Sequence, residues 1–224
     1  MKCKRKPSLF ISFVLVGRLD FTGTFILEIC MNIVKKVSVF GSLFALGLFS
    51  MVTPEAKTAF YFEDAKEVNA AISKLVGKNP DAKAIDELAK KYSLDELMHV
   101  FKLRTKGGLG VGETAGAITP DGIEAKLTGL QKKEPDKADL AKNGKAYATI
   151  GEVSLILAEL SEAHTPKDKK GEKDPKKWKE FVEKMRKGSK DLVAASNKSD
   201  GKGVKTAAKI LNDSCVECHG IFRD

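Results

Sequence analysis

From Phe60 onward, the hydrophobic residues of this chain recur every three to four positions, and this spacing constrains the fold more than any other feature. The clearest case follows Asp174-Pro175, where the hydrophobic side chains fall within about 60° of one direction on a helical wheel. They are Trp178, Phe181, Val182, Met185, Leu192 and Val193, and the small polar Ser189 and Ser196 share their face. No alternating run is long enough to predict a strand. The sequence therefore predicts an all-α fold built as an antiparallel helix bundle.

Capping and turn residues divide this region into helices. Ser93 and Glu96 form a capping box that starts or re-phases a helix running to about Arg104. Asn79-Pro80 and Pro120-Asp121 each have the composition of a helix start. The spacing predicts further helices over 62–77, from Asp136 to about residue 162, from Asp174-Pro175 to about residue 196, and over 204–222.

Residues 31–59 have the pattern of a secretory signal peptide. Lys35 and Lys36 form a basic start, and 37–52 is a 16-residue run without charge. This run is shorter than the about 20 apolar residues that span a bilayer comfortably. We therefore expect export to the periplasm or another extracytoplasmic compartment.

The exact start of the mature chain is less well defined by the pattern. We expect cleavage after Ala56 or Ala59, although neither site matches the small-x-small pattern, so an uncleaved membrane anchor is the alternative. Residues 1–30 hold a weaker apolar stretch and are interpreted as an upstream mis-start extension. Cys3 and Cys30 would then be missing from the mature protein, whose domain is expected to span 60–224.

The charge of the chain argues against a nucleic-acid partner. The formal net charge is +9, but residues 60–224 hold 31 basic and 27 acidic side chains, a net of +4. This excess is mild, and no basic patch is interleaved with aromatic residues. We expect no nucleic-acid binding.

The chemistry of the sequence is concentrated in Cys215-Val216-Glu217-Cys218-His219. Cys-x-x-Cys-His is the attachment signal for c-type haem. Cysteines three apart on a helix lie about 5 to 6 Å from each other on one face, so both sulfurs can reach the same edge of a macrocycle. His219 follows directly and can place an imidazole nitrogen against the iron. The motif therefore predicts one covalently attached haem c.

Two other interpretations of these cysteines stay open at this point. A structural zinc site needs four ligands where the motif offers three, and only His99 and His164 could supply the rest. A redox dithiol favours a helix N-terminus, whereas Cys215 and Cys218 are expected near a helix C-terminus, where the dipole raises a thiol pKa. A simple structural disulfide is the remaining alternative.

The string Cys-x-x-Cys-His-x-x-(aromatic)-Arg, here Cys215 to Arg223, resembles the signature of the class II cytochromes c, which include cytochrome c′. The resemblance extends to the preceding helix and its link, through Trp178, Phe181, Leu192, Ala194, Ala195 and Asp200. It implies an antiparallel four-helix bundle. This chain is longer than the usual member, and the extra N-terminal helical segment would span about residues 60–92.

The same resemblance implies the roles of the site residues. Cys215 and Cys218 would form the thioethers, His219 would be the axial iron ligand, and Arg223 would lie near the proximal haem face. Phe222 stands where the family more often has tyrosine.

The sixth iron ligand is the open question of the site. In the family the distal helix either donates a Met sulfur or presents only apolar atoms. Met98 lies about 60° from the centre of its helix's apolar face and is the candidate ligand, with core packing as the alternative. His99 lies about 160° from that centre, which predicts a solvated histidine, with iron ligation as its alternative. His164 is expected to cap a helix C-terminus.

The glycines from Gly107 to Gly112 lack the spacing of a phosphate loop and predict a loop that ends a helix. Lys102, Arg104 and Lys106 beside them predict a solvated basic edge, with pairing to haem propionates as the alternative.

These expectations combine into a monohaem c-type cytochrome that transfers one electron to and from redox partner proteins. The alternative is a cytochrome c′-like protein that binds NO or CO at a five-coordinate haem, and a haem-free helical adaptor is the third possibility. The sequence shows no recognisable distal acid–base pair, so we predict no enzymatic activity. A membrane contact is expected only if the signal segment is uncleaved, and a homodimer is one arrangement that the sequence leaves open.

Overall fold

The computed structural model describes residues 54–78 and 81–223, which belong to one compact unit of the chain, Met51–Asp224. Over these residues it contains seven α-helices and two 3₁₀ turns, His99–Phe101 and Arg104–Lys106, and no β-strand. The helices are α1 (Pro54–Ser73), α2 (Ala82–Lys91), α3 (Leu94–Met98), α4 (Ile123–Lys132), α5 (Lys137–Ala163), α6 (Pro175–Asn197) and α7 (Gly201–Phe222). The predicted all-α fold class is confirmed for the described part of the chain.

The predicted leader lies mostly outside the described residues. The extension 1–30 and the charge-free run 37–52 are not described. The helix start predicted at Asn79-Pro80 also lies outside the described residues. Helix α1 begins at Pro54, inside the last residues of the segment predicted as a signal peptide. Among the described helices, none is both long enough and apolar enough to cross a membrane.

The three long helices α5, α6 and α7 form the centre of the fold. Their contacts show that consecutive helices run antiparallel: the indole of Trp178 near the start of α6 meets the carbonyl of Ser161 near the end of α5, and Lys184 of α6 pairs with Glu217 of α7. Helix α4 packs on α7, and α2 packs on α5. The shorter helices α1 to α4 thus cover a core made by the long ones.

Local signals place these helix ends. The side chains of Asp136, Asp174 and Asp200 accept backbone N–H bonds at the starts of α5, α6 and α7. Each bond satisfies a donor that would otherwise have no partner within its helix. The predicted starts at Asp136 and Asp174-Pro175 are confirmed, as is the capping box of Ser93 and Glu96.

Several predicted boundaries were wrong. The helix predicted over 62–77 is α1, which spans Pro54–Ser73. The helix after Ser93 ends at Met98 and continues as a 3₁₀ turn, instead of running to Arg104. Asp121 does not open helix α4, because its carboxylate accepts the N–H groups of Val111 and Gly116 and a bond from Arg104. Gly122 is the residue that caps α4.

Helices α6 and α7 approach each other closely at Gly188. A Cβ added there would lie 2.8 Å from the backbone nitrogen and 3.0 Å from the Cα of Leu211. Backbone atoms cannot rotate away, so the crossing requires a residue without a side chain. Leu211 itself is fully buried, which means that any separation of the two helices would disturb the core.

We expect Gly188→Ala to lower the free energy of unfolding by about 1 to 3 kcal/mol, because the added methyl forces the two backbones apart. Gly129→Ala is the matched control, since nothing lies within 4 Å of a Cβ at that position in α4. There alanine should stabilise the helix by about 0.5 to 1 kcal/mol. Urea unfolding of both variants checks the prediction, and equal effects of the same sign would contradict it.

Candidate cofactor site

Helix α7 carries the Cys215-to-His219 motif near its C-terminal end. Val204, Ala208 and Leu211 are buried and orient one face of α7 towards the other helices. Cys215 and Cys218 continue that face as half-buried free thiols, and His219 beside them is exposed. The helix therefore presents both sulfurs towards the interior and the imidazole at its margin.

These residues line a cavity of about 350 Å³. Small-molecule sites in proteins have volumes of about 300 to 1,000 Å³ and mostly apolar walls. The apolar side chains that line the cavity of this protein include Leu94, Phe101, Leu127, Trp178, Phe181, Val182, Met185 and Phe222. Cys215, Cys218 and His219 lie on the same cavity. The structure thus combines two thiols, an imidazole and a hydrophobic space in one place.

Aromatic side chains form the end of the cavity at the start of α6. Trp178 is 6% exposed, and its Nε1 donates a hydrogen bond of 2.8 Å to the carbonyl of Ser161. Its ring meets that of Phe222 edge to face at 4.9 Å between centroids, and Phe181 meets Phe222 in the same way at 6.4 Å. Such pairs are favourable geometries for aromatic rings. They hold Phe222, and with it the last turn of α7, against the bundle.

Burial raises the pKa of both thiols. The pKa of Cys215 rises to about 11 because the group is desolvated, an effect that the neighbouring Ser214 hydroxyl partly opposes. The pKa of Cys218 rises to about 11 for the same reason of burial. Both sulfurs are therefore protonated at neutral pH. A redox dithiol instead depends on a lowered thiol pKa, so these surroundings do not favour that alternative.

Met98 and His99 both line the cavity that holds His219. The expectation of a solvated His99 was wrong, because its side chain is only 11% exposed. A helical wheel compares a residue only with its own helix, whereas here the C-terminal end of α7 faces the same cavity. His99 Nε2 lies 3.7 Å from an Asp95 carboxylate oxygen. Burial, followed by the positive charges of Lys102 and Arg223, lowers the pKa of His99.

The three residues of the predicted basic edge, Lys102, Arg104 and Lys106, lie in different surroundings. Lys102 lines the cavity together with Arg223. Arg104 is directed elsewhere, since its Nε donates to Asp121 at 2.9 Å and its guanidinium also donates to the carbonyl of Gly112 at 2.9 Å. Lys106 is exposed. Of these three side chains, only Lys102 lines the cavity.

The zinc interpretation finds no complete set of ligands in residues 54–78 and 81–223. No group of three or more His, Cys, Asp or Glu side chains there could hold a metal ion. His164, one of the two histidines that the interpretation needed, ends helix α5 as its C-cap residue, as expected.

The side chains at the cavity fit a covalently held haem. Two thiols three residues apart can bond one edge of the macrocycle, and the adjacent imidazole is a haem-iron ligand. The apolar walls would suit a porphyrin face, and Lys102 and Arg223 would supply positive charge for its carboxylates, although Asp95 and Glu124 also line the cavity. The helical spacing of Trp178, Phe181, Val182 and Met185 predicts a core face, but nothing in that spacing indicates that these residues also line a cavity.

Comparisons with known proteins add no relative. No protein-family model matched the chain, and no curated protein or solved structure was significantly similar to it. The likeness to class II cytochromes c therefore rests on the motif from Cys215 to Arg223 and on the helix before it.

Proposed function

We propose that the protein is an exported monohaem c-type cytochrome of the class II type, which accepts and donates one electron through a covalently attached haem. The observation that carries the proposal is the common cavity of Cys215, Cys218 and His219, with its largely apolar walls. In this proposal the helices after about residue 92 supply an antiparallel four-helix bundle, and residues 60–92 form the additional segment. Covalent haem attachment in bacteria takes place outside the cytoplasm, in agreement with the proposed export.

Each residue has a defined task in this proposal. Cys215 and Cys218 would hold the haem through thioethers, and His219 would provide a nitrogen ligand for its iron. When bound, the haem iron supplies the change between ferrous and ferric states. The apolar walls exclude water, and Lys102 and Arg223 pair with the haem carboxylates. The protein thereby controls burial, orientation and charge around the redox centre.

The sixth coordination position separates the two candidate functions. Met98 lines the cavity and offers a thioether that would complete a six-coordinate electron carrier. If Met98 only packs, Leu94, Phe101 and Leu127 present apolar atoms to the cavity, and an open iron position would bind NO or CO. This gas-binding function is the alternative. We propose no catalytic reaction for the site.

Absorption spectra of the mature protein in both oxidation states test the proposal. We expect a haem spectrum that changes reversibly on reduction and reoxidation, and a potentiometric titration that follows a single one-electron transition. A colourless chain, made in a host that has a haem-ligation system, would contradict the proposal. A spectrum that is high-spin in both states and shifts on addition of CO would assign the gas-binding alternative.

A further inference from the structure

The segment that leads into α6 is rich in lysine. Residues 167–179, here called the lysine-rich segment, contain seven lysines and three acidic residues, a net charge of +4. Residues 60–224 as a whole also carry a net charge of +4. Residues 184–190 carry the same net charge, but Lys184, Arg186 and Lys187 in that stretch form ion pairs with Glu217, Glu159 and Asp191.

The lysine-rich segment lies at the cavity end of the bundle. It connects α5 to α6 and includes Trp178, which is part of the cavity wall. Because α6 and α7 run antiparallel, the start of α6 lies beside the end of α7, as the 2.7 Å pair between Lys184 and Glu217 shows. Most of its lysines are exposed: Lys167, Lys169, Lys170, Lys176, Lys177 and Lys179.

These lysines do not stabilise the helix on which several of them lie. Lys176 and Lys177 are in the first turn of α6, which contains no acidic residue. The N-terminal end of a helix carries a partial positive charge, so cations there are repelled. A local feature that works against the helix is characteristic of functional positions. The carboxylate of Asp174 caps this helix end and pairs with Lys169 at 3.1 Å. The remaining exposed lysines of the segment carry a positive excess that an anionic surface would neutralise.

The composition of the segment favours a protein surface over a membrane. Membrane-surface helices combine basic residues with exposed Trp, Phe or Leu that enter the lipid. In the lysine-rich segment the one large hydrophobic residue is Trp178, which is buried in the core. Asp168, Glu172 and Asp174 alternate with the lysines and would be repelled by anionic lipid. Mixed charges of this kind can instead match a patterned acidic protein surface.

We propose that the lysine-rich segment is the docking surface for an acidic redox partner protein. This inference rests on the proposed electron-transfer function. Complementary charges steer association and raise its rate by about 10- to 1,000-fold, an effect that decreases as salt screens the charges. Docking here would bring the partner to the cavity end that Trp178 and Phe222 form.

Two probes test the proposal on the full haem-loaded chain. Calorimetry measures binding of poly-L-glutamate, and stopped-flow spectroscopy measures electron exchange with anionic hexacyanoferrate and with cationic hexaammineruthenium. Lys167, Lys170 and Lys177 are replaced by glutamine in one variant. The matched control replaces Lys190, Lys198 and Lys202, which are equally exposed but lie towards the opposite end of α6 and α7.

We expect the segment variant to lose poly-L-glutamate binding and to react about tenfold more slowly with hexacyanoferrate at low salt. The control variant and the ruthenium reaction should show no such loss. An equal loss in both variants, or binding to phosphatidylglycerol vesicles without binding to poly-L-glutamate, would overturn the proposal. Both variants should keep the haem spectrum, so a failed docking prediction leaves a coloured protein, whereas a colourless protein refutes the proposed function itself.

Discussion

If Met98 ligates the iron of the proposed haem, Met98→Ala is expected to convert the ferrous protein from a six-coordinate, low-spin form into a high-spin form that binds CO readily. The reason is that CO would then have to displace a bonded sulfur in the wild type, whereas the variant has no sulfur at that position. Its reduction potential should also fall, because a thioether ligand favours the reduced iron. The measurements are absorption spectra in both oxidation states, CO binding kinetics and a redox titration.

The neighbouring His99→Ala provides the control for Met98, because both side chains line the cavity. If Met98 is the ligand, His99→Ala keeps the low-spin spectrum. Conversion to high spin by His99→Ala alone would instead identify His99 as the ligand and contradict the assignment of Met98. A wild-type spectrum that is already high-spin in both states would replace the electron-carrier proposal by gas binding.

Trp178→Ala is expected to lower the free energy of unfolding by about 3 to 5 kcal/mol, the usual cost of truncating a buried tryptophan. The substitution removes the ring that packs against Phe222 and leaves the Ser161 carbonyl without its 2.8 Å donor. It should also release the last turn of α7, which carries His219 and Arg223. Denaturant unfolding followed by circular dichroism measures the loss.

Trp178→Phe separates the two contributions. Phenylalanine keeps an aromatic ring in the core but cannot donate a hydrogen bond. The Ser161 carbonyl still accepts the backbone N–H of His164 at 3.2 Å, so we expect a smaller loss of about 0.5 to 1.5 kcal/mol, the net contribution of one hydrogen bond. If Trp178→Ala destabilises the protein by less than Trp178→Phe, the packing of this ring against Phe222 does not hold the end of α7.

The parts of the fold that were predictable depend on neighbours in the sequence. Ser93 and Glu96 cap the start of α3 because their bonds span three residues, and Asp174-Pro175 starts α6 by the same local geometry. The stripe from Trp178 to Leu192 is largely buried, since one face of a long helix must meet the core. Such interactions can be read without knowing the rest of the fold.

The features that were missed depend on distant contacts. The sequence predicts a helix start at Asp121. In the structure its carboxylate instead accepts hydrogen bonds from Arg104 and from the backbone N–H groups of Val111 and Gly116, and the guanidinium of Arg104 neutralises its charge. His99 reads as solvated, but the end of α7, more than a hundred residues later, faces the cavity that it lines. The cysteine motif identified the chemistry of the site, whereas the cavity wall required the packing of α3, α6 and α7.

The most direct test of the central claim is the mass of the mature protein after complete unfolding. We predict a chain that begins near Lys57 or Phe60 and carries one haem, which remains attached in a denaturing gel. Replacing Cys215 and Cys218 together by serine should remove that added mass and let solvent extract any remaining haem. A wild-type chain that loses its haem on unfolding, or that never carries one, would contradict the account.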